Sequence, residues 1–256
     1  LALIVVNVVL TAGVAVLTYR AAHDAMVDQA RGAVAVVAQS RERELLDQLT
    51  HRQGRLTNFL QSLQALCGER GPNGGYGFED ECVRAAVGGM HRSERAVSTT
   101  IAYRGERLFA AGAPARVQGP VAGQLVRIAA ANGLGQYAMA ARLGALSAHV
   151  EFTLDDINAV FADRAGLDVG GEAFLTDAAG FRITSATRVV PSQHPVAMSA
   201  IGPCTRGASQ TAQTLDDRGI LVIAGLRAAP ALGGGCIVAN VSYDDATAAI
   251  TRMGRL

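Results

Sequence analysis

The chain opens with an apolar run, residues 1–18, whose only polar side chains are Asn7, Thr11 and Thr18. As a helix this run would be about 27 Å long, close to the roughly 30 Å hydrocarbon core of a bilayer. A tyrosine and an arginine follow at positions 19–20, as at many membrane interfaces. The pattern predicts a transmembrane helix that is truncated at its start. A cleaved signal peptide is the alternative, and the length of the run and the lack of a clear A-x-A site argue against it.

From there the helical pattern continues without a break. No proline occurs between residues 20 and 66, and charged residues, as in SRERELLDQ, fill the face between the apolar positions. Those apolar positions are mostly three, four or seven residues apart: Val27, Ala30, Val34, Val37, Leu45, Leu49, Leu56, Leu60 and Leu63. The spacing predicts one stalk helix over residues 19–66, which stands off the membrane and packs along the domains that follow.

The region 67–153 predicts a small domain built on an antiparallel sheet. CGERGPNGGYG ends the stalk helix through glycine and proline, and a short helix over 78–90 follows. Residues 96–112 predict a hairpin that turns at Arg104 and Gly105. Three further strand-like segments, separated by glycines, complete the sheet: GQLVRIAAA, GQYAMAARLG and LSAHVEFTL.

The region 154–243 predicts a second antiparallel sheet with flanking helices. Thr153 or Asp155 is expected to cap a helix. Residues 170–188 then predict a hairpin whose type I turn, DAAG, has aspartate first and glycine fourth. A proline-punctuated loop leads to two apolar segments, RGILVIAGLRAA and GGGCIVANVSY, which predict another hairpin. With a final helix over 244–256, the order of elements is that of an α+β fold.

Charge and cysteine content narrow the class of protein. The formal net charge is +1, and the 23 basic residues are arginines scattered singly along the chain, which argues against nucleic acid as a partner. The four cysteines form two local pairs, Cys67 with Cys82 and Cys204 with Cys236, so outside the cytoplasm two disulfides are expected. Four buried free thiols are the alternative. Metal ligation is disfavoured because no C-x-x-C or H-x-x-x-H spacing occurs, and no cofactor is expected.

Two stretches of the second half carry a family resemblance. GLDVGGEAFLTDAAGFRITSATR, residues 166–188, contains the strand-pair pattern G-x-x-G-E-x-(Y/F)-L-x-(D/N)-x-x-G, and DDRGILVIAGLRAAPALGGGCIVANVSYDDA covers 216–246. Both stretches are similar to the double Cache family, the PAS-like extracytoplasmic sensor domains of bacterial receptors, although the tryptophan usual in the final strand is absent. The resemblance implies two PAS-like domains after the stalk helix, membrane-distal over 67–153 and membrane-proximal over 154–243. An exit helix over 244–256 would lead toward a second membrane segment.

A small ligand bound against a sheet needs a few polar groups among apolar walls. The distal candidates are Tyr103, Arg104, Arg107 and Tyr137. Turn and surface positions are the alternative for the two distal arginines. The proximal candidates are Arg182, Thr184, Ser185 and Arg188. An arginine here suits a carboxylate ligand, and a solvated strand face or a salt bridge to Glu172 explains it equally well. The amino-acid-binding signature of some family members cannot be placed, because it contains a tryptophan.

The resemblance implies the ligand-sensing region of a membrane-anchored receptor of the histidine kinase, diguanylate cyclase or chemoreceptor type. We expect it in the bacterial inner membrane, with the residues after about 20 in the periplasm or outside the cell, and dimerised through the stalk helix. The expected partner is a small molecule. A membrane-tethered binding module without signalling is the alternative. An enzyme is disfavoured, because no G-x-S-x-G, P-loop or H-E-x-x-H motif occurs.

Overall fold

The structure, a computed structural model, describes residues 2–70, 76–120, 124–129, 135–167, 170–184 and 195–253. It is an α+β fold with a long N-terminal helix and antiparallel sheets, which confirms the predicted class. The predicted transmembrane segment, residues 1–18, lies partly outside the residues whose side chains are described. In the described part of the chain, no helix combines the length and the apolar character that crossing a membrane requires.

Helix α1 (Ala2–Cys67) is one uninterrupted helix of 66 residues, about 99 Å long at 1.5 Å per residue. One stripe along it is buried: Val27, Val34, Val37, Ala38, Leu45, Leu49, Leu56, Leu60, Leu63 and Cys67. A two-stranded sheet, β1 (Gly68–Arg70) with β2 (Tyr76–Phe78), follows the helix. The disulfide between Cys67 and Cys82 then ties the end of α1 to helix α2 (Asp80–Ser93).

A five-stranded antiparallel sheet comes next, in the order β4-β3-β7-β6-β5. Its strands are β3 (Ser98–Tyr103), β4 (Glu106–Gly112), β5 (Arg127–Ala129), β6 (Gln136–Leu143) and β7 (Leu146–Thr153). The predicted turn between β3 and β4 is present, and Arg104 within it has a left-handed φ of 55°. Alternate side chains of β6 and β7 are buried in the core that includes α1: Tyr137, Met139, Val150 and Phe152. The α1 side of this sheet is therefore closed.

A four-stranded antiparallel sheet has the order β8-β11-β10-β9. Its strands are β8 (Glu172–Thr176), β9 (Gln210–Leu215), β10 (Leu221–Ala229) and β11 (Gly235–Ser242). Strand β10 meets α1 at Gly225, where a Cβ atom would lie 2.5 Å from the carbonyl oxygen of Val34. Glycine is therefore what allows strand and helix to approach so closely. Glu42 of α1 and Arg227 of β10 also form an ion pair at 2.9 Å.

Three further helices flank this sheet: α3 (Asp155–Ala162), α4 (Ile201–Thr205) and α5 (Tyr243–Met253). The outer face of the sheet, away from α1, is filled by apolar side chains: Phe174, Val196, Met198, Ile201, Val222, Leu226 and Val238. The predicted disulfide between Cys204 and Cys236 joins α4 to β11 inside this outer cluster. The α1 sides of both sheets belong to one continuous apolar core, and the domain boundaries stay predictions.

The hairpin predicted over 170–188 is only partly formed. Its turn is as predicted, because the Gly180 amide donates to the Asp177 carbonyl at 3.0 Å. Beyond the turn, a single bridge pairs Thr176 with Arg182 in place of a second strand. The last four residues of the stretch lie outside the described residues.

Two other local predictions were wrong. The N-cap of α3 is Leu154, without a side-chain cap, because the Thr153 hydroxyl donates to the Asp155 carboxylate at 2.9 Å and neither side chain accepts a backbone N–H of the helix. The region predicted as a proline-punctuated loop contains α4 and strand β9. The sequence of β9, QTAQTL, has no alternating apolar pattern that would predict a strand, because an edge strand with an exposed face needs few apolar residues.

Candidate ligand site

The outer face of the five-stranded sheet is formed by side chains that alternate away from α1. In the paired strands, His149 of β7 lies between Thr100 of β3 and Ala140 of β6. In the next row, Ser147 of β7 lies between Ala102 of β3 and Arg142 of β6. This face combines small side chains with hydroxyl, imidazole and guanidinium groups. The polar side chains of this face can form hydrogen bonds, and its small side chains leave space for a ligand above the sheet.

A cavity of about 730 Å³ lies over that face. Its polar lining comes from the sheet and from the segment that follows β4: Thr100, Gln124, Arg142, Ser147 and His149. Alanines at positions 102, 140, 141, 145 and 148 form much of its remaining wall. The volume falls within the range of pockets that enclose small organic molecules.

A buried carboxylate holds one segment of chain next to this cavity. Glu151 is fully buried, and its Oε1 accepts the backbone N–H groups of Arg116, at 2.6 Å, and Val117. His149 Nε2 lies 3.7 Å from the same oxygen. The segment that Glu151 holds runs directly to Pro120, which lines the cavity. The carboxylate therefore fixes one wall of the cavity to the sheet.

The four predicted distal residues do not meet at one site. Tyr103 packs edge-on against Phe78, with ring centres 5.3 Å apart. Arg104 is an exposed turn residue whose guanidinium carbon lies 5.3 Å from the centre of the Tyr103 ring, and Arg107 is exposed as well. Tyr137 is fully buried on the α1 side of the sheet. Their role in ligand binding stays a prediction.

Tyr137 belongs instead to a polar cluster around Arg52 of α1. The Arg52 Nη1 donates to the Tyr137 hydroxyl, and its Nη2 pairs with Asp156 at 2.6 Å. Its guanidinium carbon lies 4.4 Å from the centre of the Phe152 ring, and its Nε lies 3.6 Å from Glu94. This cluster connects α1 to β6, β7, α3 and the end of α2. Arg52 therefore joins the stalk helix to strands β6 and β7 of the five-stranded sheet.

Burial raises the pKa of Tyr137 to about 12, although Arg52 opposes the shift. Because the folded-state pKa is raised, the stabilisation is complete below the ordinary pKa near 10 and is lost as the pH rises through about 12. We expect wild type to lose about 3 kcal/mol of unfolding free energy over this window through Tyr137. Urea denaturation at a series of alkaline pH values measures it, and Tyr137→Phe should flatten the slope. Equal slopes in both proteins would contradict the assignment.

The proximal candidates have local partners. Arg182 donates to Glu172 at 2.7 Å, so the predicted salt bridge is present, and the guanidinium lies over the Phe174 ring. The Thr184 hydroxyl is buried and accepts the Leu175 amide at 2.7 Å. The remaining two proximal candidates fall outside the described residues: Ser185 and Arg188.

The residues that line the cavity were not among the predicted site residues. The one signal in the sequence was the alternation in LSAHVEFT, which places Ser147, His149 and Glu151 on one face of a strand. Strand alternation does not say which face is covered by a helix. The pairing of β7 between β3 and β6, which decides that, was not visible in the sequence.

Comparison with known proteins identifies solved structures that have a similar fold. No protein-family model matches the sequence, and no curated protein matches it either. Among solved structures, the ligand-binding domain of the Campylobacter jejuni chemoreceptor Tlp3, in complex with 4-methylisoleucine, matches with a TM-score of 0.57 and 9% identity. The match covers 86% of this chain and 94% of that one. The chain has the fold of a receptor ligand-binding domain.

Two further structures support the same conclusion. The extracellular domain of the putative histidine kinase mmHK1S-Z3 matches with a TM-score of 0.55 and 10% identity, over 89% of this chain and 98% of that one. The ligand-binding domain of the Pseudomonas fluorescens chemoreceptor CtaA, in complex with L-isoleucine, matches with a TM-score of 0.54 and 13% identity, over 90% and 98%. All three are ligand-binding or extracellular domains, and at these identities the likeness shows the fold alone.

Proposed function

We propose that the chain is the extracytoplasmic ligand-sensing region of a bacterial inner-membrane receptor, with a double Cache arrangement of two PAS-like domains. Similarity to receptor ligand-binding domains over most of the chain supports this. The two disulfides fit an oxidising compartment outside the cytoplasm. The apolar run over residues 1–18 is the membrane anchor, and α1 is the surface through which two copies dimerise.

The cavity over the five-stranded sheet is the observation that carries the proposal. The two sheets differ on their outer faces: one has a cavity of about 730 Å³ with hydroxyl, imidazole and amide groups, and the other carries a buried apolar cluster. A small polar molecule is the occupant that suits the first of these faces. The ligand site is therefore the membrane-distal one.

The contacts of α1 provide a route from this cavity to the membrane. Gln53 of α1 donates to the carbonyl of Ala140, a cavity residue, at 2.6 Å. At its other end α1 meets α5, where His23 Nε2 and Tyr243 Oη are 3.0 Å apart. The proposed mechanism has two conformations that differ in the position of β6. A ligand that binds one conformation better than the other shifts their populations, and α1, which contacts β6, then moves relative to α5.

A ligand screen by thermal denaturation tests the proposal. We start with free amino acids, because Tlp3 and CtaA were solved with an amino acid derivative and an amino acid. At about 100 times its dissociation constant, a ligand should stabilise the fold by about 2.7 kcal/mol, which raises the melting temperature by about 5 to 10 °C. Ala140→Trp, which fills the cavity, should abolish the shift.

The matched control is Ala85→Trp, because Ala85 is exposed on α2 and does not line the cavity. It should keep the ligand-induced shift at its wild-type size. A ligand whose shift survives Ala140→Trp would bind elsewhere, and the assignment of the cavity would be wrong. An absence of any shift across amino acids, amines and small carboxylates would contradict the sensing proposal itself.

A further inference from the structure

The β8 edge of the four-stranded sheet carries polar side chains within an apolar surface. Glu172 of β8 and Asn240 of β11 are directly paired, and both share the outer face with Phe174. Arg182 lies over the Phe174 ring, with its guanidinium carbon 3.8 Å from the ring centre. Its Nη2 donates to Glu172 Oε1 at 2.7 Å. We call Glu172, Arg182 and Asn240 the edge triad.

Two N–H donors of the edge triad have no hydrogen-bond partner in the described part of the chain. They are Arg182 Nε and Asn240 Nδ2, and both atoms are closed to solvent. Asn240 is only 1% exposed. A buried donor without an acceptor is unfavourable, and native proteins rarely keep one without a purpose. Packing does not require the amide, because Ala224 and Val238, its neighbours on the same face, are apolar.

The edge triad lacks a hydrogen-bond acceptor for its two free donors, but its charges are already balanced. Arg182 and Glu172 neutralise each other, and the neighbouring pair of Arg218 and Asp216, 2.7 Å apart, is neutral as well. A carboxylate ligand would bring an uncompensated negative charge close to Glu172. A neutral carbonyl oxygen accepts from both free donors without that penalty.

We propose that the edge triad is a second small-molecule site and that its ligand is a primary amide. The amide oxygen accepts from Arg182 Nε and Asn240 Nδ2, and the amide NH₂ donates to the Glu172 carboxylate, which still has acceptor capacity. The Glu172 side chain is 20% exposed, so it marks the side from which a small molecule enters. The site lies on the other sheet from the cavity and does not depend on the proposed function.

Titration of the ¹⁵N-labelled chain with propionamide tests the proposal. The Arg182 Nε–H and Asn240 NH₂ resonances should shift and saturate with propionamide. They should not respond to propionate, which has the same shape and carries a charge. The Arg227 Nε–H, which is bonded to Glu42 at 2.9 Å, and the NH₂ of Asn58, exposed on α1, should stay in place as internal controls.

Two variants locate the binding. Asn240→Val, which suits the apolar neighbours, and Arg182→Lys, which keeps the charge and removes Nε–H, should each weaken propionamide binding by at least about tenfold. Asn58→Ala should not change it. Each variant is first checked for native spectral dispersion, and if one fails to fold, the other carries the test.

Three outcomes would overturn the proposal. The first is propionate binding as tightly as propionamide, and the second is resonances that stay unchanged throughout the propionamide titration. The third is cross-relaxation between the Asn240 NH₂ and a long-lived water, without any response to propionamide. In that case a buried water completes the edge triad, and the site has no ligand of its own.

Discussion

Replacing both Cys204 and Cys236 with alanine lowers the free energy of unfolding by about 4 kcal/mol. This disulfide closes a loop with a sequence separation of 32. Its removal therefore raises the conformational entropy of the unfolded chain considerably. Both cysteines are fully buried in the outer cluster of the four-stranded sheet, so the native state loses packing as well. Urea denaturation of the double variant against wild type measures the loss.

The matched comparison is the double replacement of Cys67 and Cys82. That disulfide spans a sequence separation of 15, for which the same relation gives about 3 kcal/mol. Reduction of wild type should shift its urea midpoint toward those of the variants. A midpoint that does not respond to a reductant would show that the thiols are free in the protein, and it would remove one support for the extracytoplasmic location.

Replacing Arg52 with methionine is expected to cost about 3 kcal/mol. The Arg52 side chain is 12% exposed, and its loss leaves the buried Tyr137 hydroxyl without its donor. The cation over the Phe152 ring is lost too, while methionine keeps most of the packing volume. The Asp156 side chain is 45% exposed, so in the variant water can solvate this carboxylate in place of the lost Arg52 guanidinium.

Arg55→Met is the control for Arg52→Met. Arg55 lies one turn further along α1 and binds the same Glu94, at 2.8 Å, but its side chain is 43% exposed. Its replacement should cost less than about 1 kcal/mol. If the two variants were equally stable, the buried cluster around Arg52 would contribute no more than a surface ion pair. Because Arg52 opposes the rise of the Tyr137 pKa, Arg52→Met should also increase the loss of stability at alkaline pH that Tyr137 causes.

The elements that could be predicted from sequence are those specified locally. Helix α1 follows from a long periodic apolar pattern without proline, and the turn after β3 follows from Gly105, because glycine readily adopts a left-handed backbone. The β10–β11 hairpin follows from two apolar segments joined by PALGG. In each case neighbouring residues determine the conformation without help from distant parts of the chain.

The candidate site depends on contacts between distant residues, and sequence could not predict it. Tyr137 looked like a ligand contact because a tyrosine in a strand suits a pocket wall, yet Arg52, 85 residues earlier, holds it on the α1 side. Thr100 and His149 face the same cavity only because β3 pairs with β7. Strand order and the face that α1 covers are set by packing of the whole chain.

The buried stripe of α1 repeats every 11 residues. Val27, Ala38, Leu49 and Leu60 form one series, and Val34, Leu45, Leu56 and Cys67 form the other. Eleven residues turn a straight helix about 20° beyond three full turns, so three repeats rotate the stripe by about 60°. The drift is opposite in hand to that of a left-handed coiled coil, so two copies that wind around each other in that way must use another face of α1.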